Sequence, residues 1–408
     1  MKEKKEKKKM NKKPRLLFWI VGLVLGLVFV VPIILILAVC IFIAVNDPTT
    51  NAPLFVGETI DDPNQHAIDS RFDHKSKAMD IVGGLDLTGK IIVVTGGHSG
   101  TGREAVRALA RSGATIIALA RDIERAKKNL KDVPNVEVEY IDLLEPESID
   151  GFTAKFLESG RPIHILINSA GIMNTPLGRD KRGYERQFST NVLGHFQLTL
   201  RLIPALEKAN GARIVNLASR AHREGSINFD DINYENTEYN GMKAYAQSKT
   251  AIILLSTKLD EMLKDKAIRA FAVHPGPVPS TDLWAAGMVG QAPQYKIDLM
   301  RFGASVVRTL HITELLNFFR NPANVGDIYK TVQQGGATTT WAAVSNELNG
   351  KGGLYLEDCN IAVIVPNDSG APFGVRQWAL DKEDADHIWT ICEDMIGVKL
   401  VDIIKSKR

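Results

Sequence analysis

The chain of 408 residues has only three cysteines, Cys40, Cys359 and Cys392. Three thiols make no disulfide framework, and none stands at a Cys/His spacing that suggests zinc, so no metal is expected. No internal repeat is present. Excess positive charge is missing from the body of the protein. The formal charge is +3, but residues 1–15, "MKEKKEKKKMNKKPR", carry +7 by themselves and leave −4 for the rest. A mildly acidic body gives no electrostatic basis for nucleic-acid binding. What is there is 45% hydrophobic and 24% charged, the composition of a folded protein with a sizeable core in one large domain or two ordinary ones.

Charge is absent altogether from Leu16 to Val45, "LLFWIVGLVLGLVFVVPIILILAVCIFIAV", 30 residues. A bilayer span needs about 20 apolar residues, and a cleavable signal has an apolar core of only about 7–15. The segment is therefore expected to stay as a membrane anchor contacting lipid. Pro32 at its middle predicts a kink, so a tilted span and a bend within one leaflet both remain open. Nine basic residues precede the segment, and the positive-inside rule then places the N-terminus in the cytoplasm. The side on which the remaining chain lies depends on which geometry is adopted.

Residues 46–83 are turn-rich ("NDPTTNAP", "DDPNQ") and read as a linker or extended lead-in. Beyond them, bounded apolar runs alternate with helical periodicity: "KIIVVTG", "ATIIALA", "VEVEYIDL", "IHILINSAG", "ARIVNLAS", "IRAFAVHPG" and "GGLYL". Strand and helix in alternation predict an α/β fold, a doubly wound parallel sheet with helices on both faces. The expected domain covers 84–371, with a helical, lid-like insertion at 277–335 and a C-terminal extension at 372–408. In the insertion, Trp284, Met288, Met300 and Phe302 either line an apolar cleft or form the core of the lid.

The first strand runs into "TGGHSGTGREAVRALA", with glycines at 96, 97, 100 and 102. Glycines at a strand-to-helix turn expose backbone amides at a helix N-terminus and keep side chains out of the way, as a phosphate requires. The spacing Thr95-Gly96-x-x-x-Gly100-x-Gly102 resembles the short-chain dehydrogenase/reductases, and the resemblance continues motif by motif over about 85–376. It implies a single Rossmann-type domain and a nicotinamide cofactor held by Thr95, Gly96, Ser99, Gly100, Thr101 and Gly102. At the end of the second strand an acidic residue would bond ribose hydroxyls, and an arginine would pair with a 2′-phosphate. Arg121 stands there with Asp122 behind it, which favours NADP(H) and leaves NAD(H) open. By family position Asp142 and Leu143 flank the adenine. Asn168, Ala170 and Gly171 of "NSAG" form a turn beside the cofactor, with Ser169 replacing a commoner asparagine. Pro275, Gly276 and Val278 of "HPGPVPSTDL", with a hydroxyl from Ser280 or Thr281, meet the nicotinamide.

Reducing a carbonyl with hydride leaves an alkoxide that needs a proton. Tyrosine, with a pKa of about 10, supplies one near neutrality only if a cation lowers that value. On a helix a lysine four residues on shares its face. "EYNGMKAYAQSKT" offers two such pairs, Tyr239 with Lys243 and Tyr245 with Lys249. Asn240-Gly241 is a turn signal inside the first pair, whereas Ala251, Leu254, Leu255 and Leu259 continue a helix past the second. Tyr245 and Lys249, with Ser248 before the lysine, also match the family's Tyr-x-x-x-Lys, and Tyr239 is a decoy. The resemblance further implies that Ser219 holds the substrate oxygen and that Asn191 holds a water linking Lys249 to solvent. His195 and His222 are expected to cap or pack.

The long gap between Ser219 and Tyr245, and "INFDDINYENTEYNGMKAYAQSK" within it, resemble the retinol dehydrogenase and WW-domain-oxidoreductase branch, although no WW domain precedes the fold. The branch implies an oxidoreductase acting on a lipophilic alcohol, aldehyde or ketone, and a homodimer is an expected state. A cofactor-sensing scaffold on a silent enzyme fold and a reductase of carbon–carbon double bonds are the competing readings.

Overall fold

A computed structural model describes residues 53–405 and a few positions between 37 and 51. Most of Leu16–Val45 lies outside the described residues, and so does the expected anchor. Among the described residues no helix is long and apolar enough to cross a membrane. The chain falls into two compact units, one of residues up to 53 with 312–323, the other of 54–311 with 324–408.

In the large unit the elements run β1 (Ile91–Thr95), α1 (Gly100–Arg111), β2 (Thr115–Ala120), α2 (Ile123–Leu130), β3 (Val136–Tyr140), α3 (Pro146–Glu158), β4 (Ile165–Asn168), α4 (Gly194–Lys208), β5 (Ala212–Leu217), α5 (Gly241–Leu263) and β6 (Ile268–His274). The helices α6 (Leu283–Gly287), α7 (Gln294–Thr309), α8 (Thr313–Arg320) and α9 (Ala337–Val344) follow, α8 belonging to the small unit. Then come β7 (Leu354–Glu357), β8 (Asn360–Ile361), a small parallel pair β9 (Ile364–Val365) and β10 (Val375–Arg376), α10 (Lys382–Ile396) and α11 (Leu400–Lys405). The sheet order is β3-β2-β1-β4-β5-β6-β7-β8, parallel except for the antiparallel β7–β8 edge.

The central strands are nearly all apolar because both faces of a parallel sheet are covered, whereas the edge strand β3, Val-Glu-Val-Glu-Tyr, alternates and has no buried residue. In β1, Val93 joins the core formed with α3, α4, α5 and α10, while Ile92 and Val94 join the core formed with α1 and α9. Chain order reverses between β1 and β4, which opens a crevice at the carboxyl ends of the strands, the place where such sheets bind ligands.

Two segments depart from the sequence expectation. Part of the linker is built into the domain. Ile60 pairs with Ile364, the Gln65 amide donates to the carbonyls of Tyr355 and Ala362, and Ala78, Ile81 and Val82 are buried in the core. The C-terminal extension is also core. Trp389 of α10 is buried and meets Phe196 edge-on, with ring centroids 4.9 Å apart.

In the small unit, buried Arg320 at the end of α8 pairs with Asp47 at 3.1 Å, and the Asn51 amide donates to the Arg320 carbonyl at 2.8 Å.

Candidate active site

The β1–α1 turn is shaped by close backbone approach. Gly96 has φ +67°, and a Cβ there would lie 2.8 Å from the Cα of Ala170. The "NSAG" turn after β4 therefore packs directly on the glycine turn after β1. A Cβ at Gly102 would meet the Gly96 carbonyl and the Ser169 hydroxyl, so α1 too lies against this turn. Ser99 precedes α1 as its N-cap residue, and Thr101 packs on Gly335 and Gly336. The first amides of the twelve-residue α1 open onto the crevice, a cradle for an anionic group that side chains would fill.

Thr95 and Asn168 have a different role from the one expected. The Thr95 hydroxyl accepts from the amides of Ser169 and Ala170 at 3.0 and 3.1 Å. It also lies 2.8 Å from Nε2 of His195, whose Nδ1 lies 3.0 Å from the Asn191 carbonyl. With both amides pointing at it, the hydroxyl must donate to His195, which fixes the ring as the Nδ1–H form. The Asn168 amide donates to Thr199 and Asn216, tying β4 to α4 and β5. Both side chains are fully buried. Their side chains hold the turn from behind.

At the far end of β2, Arg121 is 71% exposed and lies 3.9 Å from Asp142. Asp122 caps α2 by accepting from the Arg125 amide at 3.0 Å, so its carboxylate is committed to the helix. The structure adds two residues that sequence reading passes over. His98 sits in the glycine turn with Nδ1 buried, its pKa lowered by burial and by nearby Arg125. Arg125 itself pairs with Asp282, at the start of α6, at 3.7 Å. A polar side chain inside a glycine turn was the available signal for His98. Nothing local announces Arg125. Asp142 also accepts from the Leu144 amide, and the carbonyl of buried Leu143 lies against Gly194.

Tyr245 and Lys249 lie on α5 with both side chains buried, Nζ 5.5 Å from the centre of the tyrosine ring. Tyr239 precedes the helix. Asn240 is the N-cap, its side chain accepting from Met242 and Lys243, as the turn signal implied. The Tyr239 hydroxyl is bonded to Gln187, the Thr175 carbonyl and Glu185. Lys249 donates to the Leu217 carbonyl at 2.6 Å. Ser219, just past β5, accepts from the Ala221 amide and lies within hydrogen-bonding reach of Tyr245.

Asn191 sits in a π-helical turn, Ser189–Leu193, a local widening common at functional sites. Its side chain accepts from the Ile172 amide and donates to the Ile172 carbonyl and to Ser248, which ties α5 to the strand-four turn. A Cβ on Gly171 would lie 3.3 Å from Asn191 and 3.9 Å from Lys249 Nζ. Ser219, Tyr245, Lys249, Asn191 and Gly171 thus share one floor.

One electrostatic expectation is corrected. Burial pushes the Tyr245 pKa up to about 12, with Ser219 acting the other way, and brings Lys249 down to about 7. A lysine that is partly neutral near pH 7 and aimed at a carbonyl does not lower the tyrosine in this state. His195 and His222 are buried, hydrogen-bonded and held neutral by burial, with pKa values of about 4 and about 3.

Beyond β6, Gly276 has φ +83° and lies over Lys330, and Val278 packs on Gly335. The Thr281 side chain faces Gly100, whereas Ser280 is buried. Helix α6 closes on the 173–176 loop, with Gly287 against the Met173 carbonyl. Around Tyr245, Met173, Ala221 and Ala246 form a small apolar cluster, with Met242 and Leu283 packed on it. Trp284 and Phe302 are not core, being 49% and 65% exposed.

A short chain dehydrogenase family model matches residues 90–288. Mouse retinol dehydrogenase 12 is 30% identical over 325 residues, covering 77% of this chain and 89% of the relative. The short-chain dehydrogenase TIC 32 B, chloroplastic, of Brassica napus is 33% identical over 350 residues, covering 82% and 95%. The chain belongs to the short-chain dehydrogenase family. A crystal structure of an uncharacterized protein from Mycobacterium paratuberculosis, 26% identical, matches with a TM-score of 0.57 over 80% of this chain and 99% of that one. This short-chain dehydrogenase is accordingly an oxidoreductase whose fold is the doubly wound sheet expected from the sequence.

Proposed function

We propose that this chain moves hydride between a nicotinamide cofactor, NADP(H) in preference to NAD(H), and an apolar alcohol or carbonyl compound. The observation that carries the proposal is the convergence of Ser219, Tyr245 and Lys249 on one floor beside an apolar cluster of Met173, Ala221 and Ala246. The cradle at Gly96, Gly100 and Gly102 fits a pyrophosphate, because Cβ atoms there would occupy the space or strain the turn. The cofactor, when bound, supplies or accepts the hydride. Tyr245 gives the proton to the substrate oxygen in reduction and takes it in oxidation. Ser219 fixes that oxygen against Tyr245 by a hydrogen bond that strengthens as negative charge develops. Lys249, on the same face of α5, would hold the nicotinamide ribose and restore the Tyr245 proton. Asn191 takes part from the π-turn, beside a small cavity of about 20 Å³ that it lines with His195 and Asn216 and with the apolar Val192, Phe196 and Leu255.

The preference for NADP(H) rests on Arg121, exposed at the strand end, and on Asp122 being committed to its helix. Relatives named retinol dehydrogenase support a lipophilic substrate. The test is NADPH consumption by the full-length protein over a panel of lipophilic and hydrophilic aldehydes and ketones. Turnover confined to lipophilic members is expected. Tight NADPH binding with no turnover across the panel would favour the silent-scaffold reading instead.

A further inference from the structure

Helix α7 buries one side and leaves its opposite side apolar and uncovered. Ile297, Ala304 and Val307 are buried. On the other side Tyr295, Leu299 and Phe302 follow at steps of four and three, which places them in one row, and they are 67%, 65% and 65% exposed. The row continues through half-buried Val306 to exposed Leu310. A surface helix of a water-bathed domain carries polar residues there. The charged residues of α7 are Lys296, Arg301 and Arg308 against a single acid, Asp298. Arg308 donates to the Ser280 carbonyl at 3.2 Å, which fastens the helix to the turn after β6.

The chain says what covers this row. Its longest apolar stretch, Leu16–Val45, ends two residues before Asp47. Asp47 pairs with Arg320, the last residue of α8. Helix α8 begins after only three residues beyond α7, a reach of at most about 15 Å. Within the small unit the residues after the apolar segment are thereby paired with α8, which exposes Phe318 as well. A segment with bilayer-spanning length and a helix of net charge +2, whose apolar row has Lys296 on one flank and Asp298 on the other, are complementary to one surface, an anionic phospholipid membrane.

We infer that α7 is a second membrane contact of this protein, lying in the headgroup region with Tyr295, Leu299 and Phe302 toward the acyl chains and Lys296 at the level of the lipid phosphates. The anchor delivers the domain to the surface, and α7 sets which side of the domain faces it. Since α6 packs on the 173–176 loop beside Tyr245, that side carries the lid.

The test uses the full chain with Cys40→Ser, because Cys359 and Cys392 are buried. An environment-sensitive fluorophore is attached at Phe302→Cys or Leu299→Cys, with Lys155→Cys on α3 as the reference, and the protein is placed in vesicles of phosphatidylcholine and phosphatidylserine (3:1). Blue-shifted emission and quenching by nitroxide-labelled lipid at 302 and 299, several-fold above the reference and weaker without phosphatidylserine, are expected. Three outcomes would overturn the inference. Iodide could quench position 302 as freely as position 155 in vesicles, meaning that the row faces water. Shielding already complete in detergent and unchanged by vesicles would mean that the protein's own chain covers it. Shielding that grows with protein concentration in the absence of lipid would mean a second copy.

Discussion

The floor of the site and the α6–α7 region above it are built on opposite terms. On the floor Asn191, Lys249 and Thr95 are buried and bonded, Asn191 to Ile172 and Ser248, Lys249 to Leu217, Thr95 to the turn it supports, and Ser219 is half-buried. Above it, a helix of similar apolar content keeps Tyr295, Leu299 and Phe302 in the open. Buried polar groups must be satisfied, which leaves one arrangement for the floor. Exposed apolar groups have no such constraint, and their partner lies outside the fold.

The sharpest way to break the comparison is at Tyr245. Tyr245→Phe keeps ring, burial and packing and removes the hydroxyl that carries the transferred proton, so turnover should fall by about 10²–10⁴-fold with NADPH binding unchanged. Tyr239→Phe, six residues away, should leave turnover intact while lowering stability by about 1–2 kcal/mol, since its hydroxyl has three partners. Steady-state kinetics together with a urea melt on each variant check both halves. Loss of turnover in the Tyr239 variant would mean that the floor has been drawn around the wrong residue.

Lys249 should show that the floor is arranged for chemistry at the expense of stability. Its folded pKa of about 7 lies below that of an unfolded lysine. Between these values the unfolded chain holds the extra proton, so folding stability from this group rises with pH. The penalty is fully present below about pH 7 and fades toward pH 10. Lys249→Met should therefore be more stable than the parent at pH 6, by about 1–4 kcal/mol, with a gain that narrows at pH 9, while turnover is lost. Chemical denaturation at the two pH values checks this, and a destabilised variant at pH 6 would contradict it.

Arg121 stands between the two regions, at an exposed rim of the crevice. Arg121→Asp should reverse the cofactor preference, losing about 1.5–3 kcal/mol of charge-assisted bonding to a 2′-phosphate, tenfold to a hundredfold in kcat/KM for NADPH. Equal kcat/KM for NADPH and NADH in the parent would remove the basis for this expectation.

The same division explains what the sequence makes legible. The central parallel strands show as apolar runs because they are buried on both faces, the edge strand β3 shows by alternation, and Asn240-Gly241 separates Tyr239 from the helix that carries Tyr245, a local signal in each case. The lead-in does not show. Gln65 finds its carbonyls 290 and 297 residues away, at Tyr355 and Ala362, and no nearby pattern encodes that tie. Thr95 and Asn168 look like ligand contacts because motifs record position and leave out which way a side chain turns. The row on α7 is legible as amphipathic, but sequence alone assigns its apolar residues inward, since that is where a fold in water puts them.

The smallest expected effect bears on that last point. If Leu299 and Phe302 have no partner within the folded domain, removing them should cost the fold almost nothing. The double variant Leu299→Ser, Phe302→Ser should change unfolding free energy by no more than about 0.5 kcal/mol in lipid-free detergent. A leucine buried as Leu254 is, at 0% exposure, loses about 2–5 kcal/mol when truncated to alanine, through lost transfer energy and the cavity left behind. The contrast matters more than either number, because both sites are helical leucines and differ only in what surrounds them. A double variant that melts like Leu254→Ala would show that the row is covered by the protein itself, and α7 would then belong with the floor.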